Sequence, residues 1–193
     1  MFEAHLKKRT EWAFEGMARL VKRWACVNTI TTFAFFSGIV SGICIAVHYQ
    51  WAAFFLLSFS GLCDVLDGRV ARLTNTASQF GAFRDLVSDR MVESAIVAGI
   101  AWGYPQHAFA CLLFVIALLL HFSTFGMAAL LFKNLGEKSF HYNKSFVDRI
   151  DAFIVFGFVI LFPQYSTIPL MALNIFIFAD GIRRFKAIVD SET

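Results

Sequence analysis

The chain has 193 residues, of which 58% are hydrophobic and 16% are charged, with a net charge of +3 at pH 7. Soluble domains carry about 25% charged residues, so this composition, with a mean hydropathy of +0.64, excludes an ordinary soluble domain. The length allows about six membrane-spanning helices of about 20 residues each and leaves little sequence for a soluble domain.

The first element in chain order is the N-terminal segment, residues 1–25. Apolar side chains recur in it at loosely helical spacing, and lysines and arginines supply the other face. This pattern predicts an interfacial amphipathic helix that lies on the anionic cytoplasmic leaflet. The segment is too charged for the apolar region of a signal peptide. An ordinary basic flank to the first membrane span is the alternative interpretation.

Six apolar segments follow, and their lengths predict a bundle of six transmembrane helices within residues 27–185. We therefore expect an all-α integral membrane protein in which six transmembrane helices follow the amphipathic helix. No internal repeat or low-complexity linker is present, so a single domain over residues 1–193 is expected. The segments cover residues 27–48, 51–67, 78–103, 107–132, 147–163 and 166–185.

The basic residues are distributed unevenly between the two ends of these segments. Three short connections, Tyr49-Gln50, 104–106 and 163–165, contain no lysine or arginine, whereas all 17 basic residues lie towards the opposite ends. The positive-inside rule therefore places both termini and the basic connections on the cytoplasmic side. An even number of spans agrees with this topology.

Four aspartates stand out because ionised carboxylates near a bilayer are costly. Asp64 and Asp67 are three residues apart, and Asp85 and Asp89 are four residues apart, so each pair lies on one helix face. The linker 68–78 is rich in turn-forming residues. We therefore expect an antiparallel hairpin that brings both pairs together at the cytoplasmic ends of the second and third spans.

Four converging carboxylates would repel one another, and divalent cations would remove that repulsion. Oxygen ligands without histidine or cysteine favour Mg²⁺ or Mn²⁺, which complete their shells with substrate phosphates. Arg69 and Arg72 offer phosphate partners, and Gly68 and Ala71 leave the backbone open to a ligand. These features predict phosphoryl transfer from a diphosphate-linked donor, with one aspartate as the general base.

The aspartates belong to a longer pattern of fixed residues at fixed spacing. The pattern resembles, at every fixed position, the signature of the CDP-alcohol phosphatidyltransferase family. It reads Asp64-x-x-Asp67-Gly68-x-x-Ala71-Arg72, then eight residues, then Gly81-x-x-x-Asp85-x-x-x-Asp89.

The resemblance implies an enzyme that transfers a phosphatidyl group from a CDP-linked lipid, expected to be CDP-diacylglycerol, to the hydroxyl of a small alcohol and releases CMP. It implies two Mg²⁺ or Mn²⁺ ions, a homodimer in contact with membrane lipids, and no nucleic-acid partner. The expected location is a bacterial-type inner or plasma membrane, with the active site open to the cytoplasm.

The resemblance also implies roles for the residues of the motif. Asp89 is expected to bind metal and to act as the general base. The other expected metal ligands are Asp64, Asp67 and Asp85. The expected walls of the CDP pocket are Gly68, Ala71, Arg72 and Gly81.

A shorter likeness lies at the start of the first span, where the chain reads Val27-Asn28-Thr29-Ile30-Thr31. Family members often have Pro-Asn-x-Ile-Thr near the nucleotide pocket, and this chain lacks the proline. Asn28 and Thr31 are therefore expected donor contacts, with a plain helix cap as the alternative.

The acceptor alcohol is less well defined. Arg90 and Glu93 resemble the family branch that uses inositol or inositol phosphate, and an intramembrane ion pair is the alternative. A basic connection between the fourth and fifth spans would suit a phosphorylated polyol such as inositol phosphate or glycerol phosphate, unless it is only a positive-inside loop. Serine or another non-phosphorylated alcohol stays open as acceptor. The expected acceptor contacts are Arg90, Lys133, Lys138, Lys144 and Arg149.

Two further interpretations concern residues outside these sets. Arg84, which precedes Asp85, either contacts a phosphate or extends to the membrane interface. A small divalent-cation channel or transporter would need ionisable residues at the bilayer midplane. The carboxylates cluster instead at the cytoplasmic ends of the spans, so the sequence favours an enzyme.

Overall fold

A computed structural model of the chain describes residues 14–22, 24–131 and 149–192, and all regular structure in these residues is helical. A helical segment over residues 14–21 precedes the longer helices, and short 3₁₀ helices occupy Pro105–His107 and Pro163–Tyr165. The longer helices are α1 (Val27–Ala46), α2 (Gln50–Leu73), α3 (Gln79–Gly103), α4 (Ala108–Leu131), α5 (Arg149–Leu161) and α6 (Thr167–Glu192).

Three described helices are long and apolar enough to cross a membrane: Val27–Ala46, Gln50–Leu73 and Pro105–Met127. They confirm the prediction of an integral membrane protein. Helices α3 and α6 have similar lengths but are charged in one half, and α5 has only 13 residues. The count of six spans therefore stays a prediction.

The chain divides into two compact units, Met1–Gly99 and Ile100–Thr193, and the boundary falls within α3. The expectation of a single domain stays a prediction. In the second unit, Asp180 of α6 is fully buried, and its carboxylate contacts His121 Nε2 of α4 at 3.0 Å. Arg183 and Arg184 also bind this carboxylate, at 2.8 and 3.1 Å, so the buried charge is well satisfied.

The turn between α2 and α3 lies later in the chain than the sequence pattern indicated. The second span was expected to end at residue 67, whereas α2 continues to Leu73. Val70 is fully buried, and its burial favours the longer helix. This gain outweighs the helix-weakening effect of Gly68. The connection turns at Asn75, whose φ of 54° is tolerated by asparagine. Each aspartate pair therefore lies within a helix and not at its last residue.

Helix α3 begins with a side-chain cap. The Ser78 hydroxyl oxygen accepts a hydrogen bond of 3.0 Å from the backbone N–H of Gly81, which satisfies one of the free donors at the helix start. This cap fixes where α3 starts and thereby the direction in which Asp85 points.

Small residues let α1 and α3 approach closely. A side chain added at Gly99 would collide with the backbone of Gly42, and one added at Gly42 would collide with Ala95. Close backbone approach at small residues is a common way for membrane helices to associate. Helix α2 joins α1 through hydrogen bonds of 2.7 Å from Ser60 to the carbonyl of Ala34 and from Ser41 to that of Ala53.

The N-terminal segment packs on this unit over its described residues. Ala18 is fully buried against Ile30, Cys63, Leu66 and Val70. The other side of the segment exposes Met17, Leu20 and Trp24. An interfacial amphipathic helix over residues 1–25 stays a prediction, because residues 1–13 lie outside the described residues.

Gly99→Ala should lower the free energy of unfolding by about 1–3 kcal/mol, because the added methyl group would force α1 and α3 apart. Gly126→Ala is the matched control, since no atom of the described part of the chain lies within 4 Å of a Cβ at that helical position, apart from the local helix backbone. The control should be neutral or slightly stabilising. Thermal unfolding of the purified protein in detergent measures both, and equal effects would contradict the close contact.

Candidate metal and nucleotide site

Three aspartates from two helices converge in the first unit. Asp64 and Asp67 of α2 and Asp85 of α3 each offer one carboxylate oxygen, and these oxygens all lie within 4.8 Å of one another. Oxygens on opposite sides of a bound Mg²⁺ lie about 4 Å apart, so an inward shift of less than about 1 Å would let all three bind one ion. The all-oxygen donor set fits Mg²⁺ or Mn²⁺.

A hydroxyl from α1 orients the most buried of these carboxylates. Asp67 is only 5% exposed, and Thr31 Oγ1 donates a hydrogen bond of 2.6 Å to its Oδ2 atom. Hydrogen bonds to ionised carboxylates are short and strong, so Thr31 holds Asp67 in one orientation. The sequence predicted a donor contact for Thr31, and the structure adds this positioning role.

Asp89 lies one helical turn beyond Asp85 on α3 and is not part of the three-carboxylate group. Residues four apart share a helix face but are separated by about 6 Å along its axis. The structure thus brings together three of the four predicted ligands. The metal-binding and general-base roles of Asp89 stay predictions.

A cavity of about 860 Å³ adjoins the carboxylates and lies entirely within the first unit. Its volume is in the range of sites for small molecules and cofactors. Asp67 and Asp85 line it, so the predicted metal ligands and nucleotide contacts share one space. The predicted donor-binding residues that line the cavity are Asn28, Thr31, Gly68, Ala71, Arg72 and Gly81.

The two motif glycines, Gly68 and Gly81, leave the cavity walls without side chains at their positions. Within the described residues, and apart from the local helix backbone, a Cβ at Gly68 would meet the Arg72 guanidinium at 3.9 Å, and one at Gly81 would meet the Ser78 hydroxyl at 3.2 Å. The space beside both backbones is otherwise open. A ligand can therefore approach the two helices more closely than side chains would allow.

Several cavity residues lie outside the predicted sets of metal and donor-binding residues. Lys22 and Trp24 come from the N-terminal segment, and Arg84 and Phe80 come from α3. Trp24 is 86% exposed and Phe80 is 73% exposed, so aromatic rings flank the cavity. Of these four residues, only Arg84 was noticeable in the sequence, because it is a charged residue directly before Asp85. The other three reach the cavity through tertiary packing.

The predicted acceptor contacts are only partly described. Arg90 Nη2 donates a hydrogen bond of 2.9 Å to Oε1 of the buried Glu93, which favours the ion-pair interpretation of this pair. Arg90 is not among the residues that line the cavity. The other four predicted contacts lie outside the residues whose side chains are described, namely Lys133, Lys138, Lys144 and Arg149.

Comparison with known proteins identifies the class to which this fold and site belong. The model of the CDP-alcohol phosphatidyltransferase family matches residues 24–179, which is most of the chain. The chain therefore belongs to the CDP-alcohol phosphatidyltransferase family. The matched region contains the whole aspartate motif.

Curated relatives match over shorter regions. The CDP-diacylglycerol–inositol 3-phosphatidyltransferase of Candida albicans is 34% identical over 80 residues, which are 42% of this chain and 34% of that protein. The CDP-diacylglycerol–serine O-phosphatidyltransferase of Helicobacter pylori is 40% identical over 83 residues, 42% of this chain and 35% of that protein. The chain thus spans about a third of the length of each of these relatives.

The fold is shared with a solved enzyme, the phosphatidylinositol phosphate synthase of Mycobacterium tuberculosis. Its structure with manganese and citrate superposes with a TM-score of 0.74 at 17% identity, over 90% of this chain and 87% of that one. Its structure with CDP-DAG bound gives a TM-score of 0.65 at 20% identity, over 90% and 92% of the chains. This likeness supports the helical architecture.

Thr31→Val should weaken Mn²⁺ binding about 10-fold to 100-fold, since it removes the hydrogen bond that orients Asp67. Thr32→Val is the matched control, because the exposed Thr32 hydroxyl donates a hydrogen bond of 2.7 Å to the carbonyl of Asn28 in its own helix and not to a site carboxylate. Isothermal titration calorimetry with Mn²⁺ measures the affinity of each purified variant. Similar affinities in the two variants would contradict the positioning role of Thr31.

Proposed function

We propose that this protein transfers a phosphatidyl group from a CDP-linked lipid, CDP-diacylglycerol, to the hydroxyl of a small alcohol and releases CMP. The observation that carries this proposal is the cavity in which Asp67 and Asp85 meet all six predicted donor-binding residues. Membership of the family supplies the reaction class. Carboxylates that can bind a metal, glycines that leave space and an arginine that can pair with phosphate together suit a metal-bound diphosphate.

The three converging carboxylates of Asp64, Asp67 and Asp85 would hold Mg²⁺ or Mn²⁺. When bound, the cation supplies neutralising charge for the diphosphate and for the departing CMP. Thr31 keeps Asp67 oriented for this task. The proposal includes two ions; manganese in the solved Mycobacterium tuberculosis enzyme supports the metal type.

The chain's own residues would bind the donor and remove a proton. Arg72 at the cavity edge would pair with a phosphate oxygen, and Gly68 and Gly81 would admit the nucleotide. A carboxylate oxygen of Asp89 would take the proton of the acceptor hydroxyl as its oxygen bonds to the lipid-linked phosphorus. The bond between that phosphorus and the CMP oxygen breaks, and CMP leaves with the electron pair.

For the acceptor, we infer a phosphorylated polyol such as inositol phosphate or glycerol phosphate. Two observations support this inference. The 133–149 connection is rich in basic residues, and the solved enzyme of similar fold is named a phosphatidylinositol phosphate synthase. Serine is the second candidate, favoured by the 40% identity to the Helicobacter pylori serine transferase. The same donor site would serve either acceptor.

The proposal places the protein as a six-span, single-domain homodimer in a bacterial-type inner or plasma membrane, with both termini and the site in the cytoplasm. The uneven distribution of lysine and arginine supports this orientation. The cavity agrees with it, because its basic side chains come from the end of α2, the start of α3 and the N-terminal segment. The homodimer rests on the family resemblance alone.

A screen of acceptors tests the reaction. Purified protein with CDP-diacylglycerol and Mn²⁺ should release CMP fastest with inositol phosphate or glycerol phosphate, and more slowly with inositol or serine. Enzyme without acceptor gives the background of donor hydrolysis. If no alcohol in the panel raises CMP release above that background, the proposed function is wrong.

Asp89→Asn should reduce CMP release about 10²-fold to 10⁴-fold, which is the usual contribution of a general base, while CDP and Mn²⁺ still bind. Asp67→Asn serves as the comparison, since it should weaken Mn²⁺ binding itself. Rates of CMP release and calorimetric titrations on both variants separate the two roles. Near-normal turnover by the Asp89 variant would rule out its role as the base.

A further inference from the structure

We propose that Arg84 binds a phosphate group of the nucleotide donor and acts with Arg72 as a second cationic clamp on the diphosphate. The identity of this ligand rests on the proposed function. The position of Arg84 within the cavity does not, because it follows from the packing of the helices in the first unit.

Arg84 lies on the cavity face of α3. It follows Gly81 by three residues, so both occupy the same side of the helix, and both line the cavity. The neighbouring Asp85 joins the carboxylate cluster, and adjacent helical residues do not face each other. Arg84 therefore lies beside the candidate metal site and does not point at the carboxylate cluster.

The guanidinium of Arg84 has unused hydrogen-bonding capacity. Its Nε atom is buried and has no hydrogen-bond partner within the part of the chain that the structure describes. Buried polar groups of this kind are rare in native proteins, and each calls for an explanation. Arg90 on the same helix pairs through its Nη2 atom with Glu93 at 2.9 Å, although its Nε atom also has no hydrogen-bond partner among the described residues. Arg84 differs because it lines the cavity, where a ligand can reach its guanidinium. A ligand that enters the cavity would complete the bonding of Arg84.

The charges around the cavity favour an anionic ligand. Among the described residues that line it, Lys22, Arg72 and Arg84 are basic and Asp67 and Asp85 are acidic. A divalent cation on these carboxylates would leave three positive side chains for the ligand. A diphosphate carries matching negative charge, and the planar fork of an arginine fits two phosphate oxygens at once.

Phosphate oxygens also occur in anionic lipid headgroups and in a phosphorylated acceptor. We assign Arg84 to the donor diphosphate because the other residues of its wall, Gly81 and Asp85, belong to the nucleotide and metal motif. The flanking wall on α2 contributes Gly68 and Arg72 of the same motif. The experiment below separates the three phosphate sources.

Arg84→Gln removes the charge and keeps a side chain that forms hydrogen bonds, and Arg84→Lys keeps the charge without the fork. With Mn²⁺ present, CDP binding should weaken about 10-fold to 100-fold in Arg84→Gln and less in Arg84→Lys. Cytidine, which lacks phosphate, should bind both variants within about 2-fold of the parent protein, measured by competition against labelled CDP.

Arg19→Gln is the matched control, because Arg19 is an exposed arginine that pairs with Glu15 at 2.9 Å and does not line the cavity. CDP affinity should be unchanged in this variant. An equal loss of cytidine and CDP binding in Arg84→Gln would indicate a structural role and would overturn the proposal, as would unchanged CDP binding in both Arg84 variants.

Two further arms test the other phosphate sources. The first arm compares the thermal stability of the protein in phosphatidylglycerol vesicles and in phosphatidylcholine vesicles. If Arg84→Gln removed only the extra stability in phosphatidylglycerol, a lipid headgroup would be the ligand. If it raised only the KM for the phosphorylated acceptor, the acceptor would be the ligand. Either result overturns the assignment to the donor. A parent protein that binds CDP through Arg84 but releases no CMP would overturn the proposed function and leave this inference standing.

Discussion

Asp64, Asp67 and Asp85 present carboxylate oxygens that all lie within 4.8 Å of one another. At that separation and an effective dielectric constant of about 20, two like charges repel by about 3 kcal/mol. The hydrogen bond from Thr31 offsets part of this repulsion at Asp67. A divalent cation bound between the carboxylates would turn this repulsion into attraction, so the cluster is suited to hold one.

The neighbouring elements position these carboxylates and leave room beside them. Asn75 adopts the left-handed conformation that turns the chain, and Ser78 caps the helix that carries Asp85. Contact between Gly42 and Gly99 holds α1, with its Thr31 hydroxyl, against α3. Because these contacts lie within the helices and in the short connection between α2 and α3, the geometry of the site is set by helix packing and not by long loops.

The all-helical architecture was predictable from the sequence, and the limits of individual helices were less so. All six predicted donor-binding residues line one cavity, and their binding roles stay predictions. Helical spacing places Gly68, Ala71 and Arg72 close together on α2, whereas helix packing brings α1, α2 and α3 around one space. The end of α2 was predicted at residue 67 and lies at Leu73, because burial of Val70 outweighs the cost of Gly68. Lys22 and Trp24 could not be predicted, since only tertiary packing brings the N-terminal segment to the cavity.

In the proposed enzyme, a cation on the carboxylate cluster would meet the diphosphate of a cytidine nucleotide in the adjoining cavity. Electron–nuclear double resonance of the Mn²⁺-loaded protein with CDP tests it directly. We expect ³¹P hyperfine coupling to the bound Mn²⁺, which reports phosphate coordination. Mn²⁺ that binds the cluster without ³¹P coupling, while CDP saturates the protein, would contradict the account.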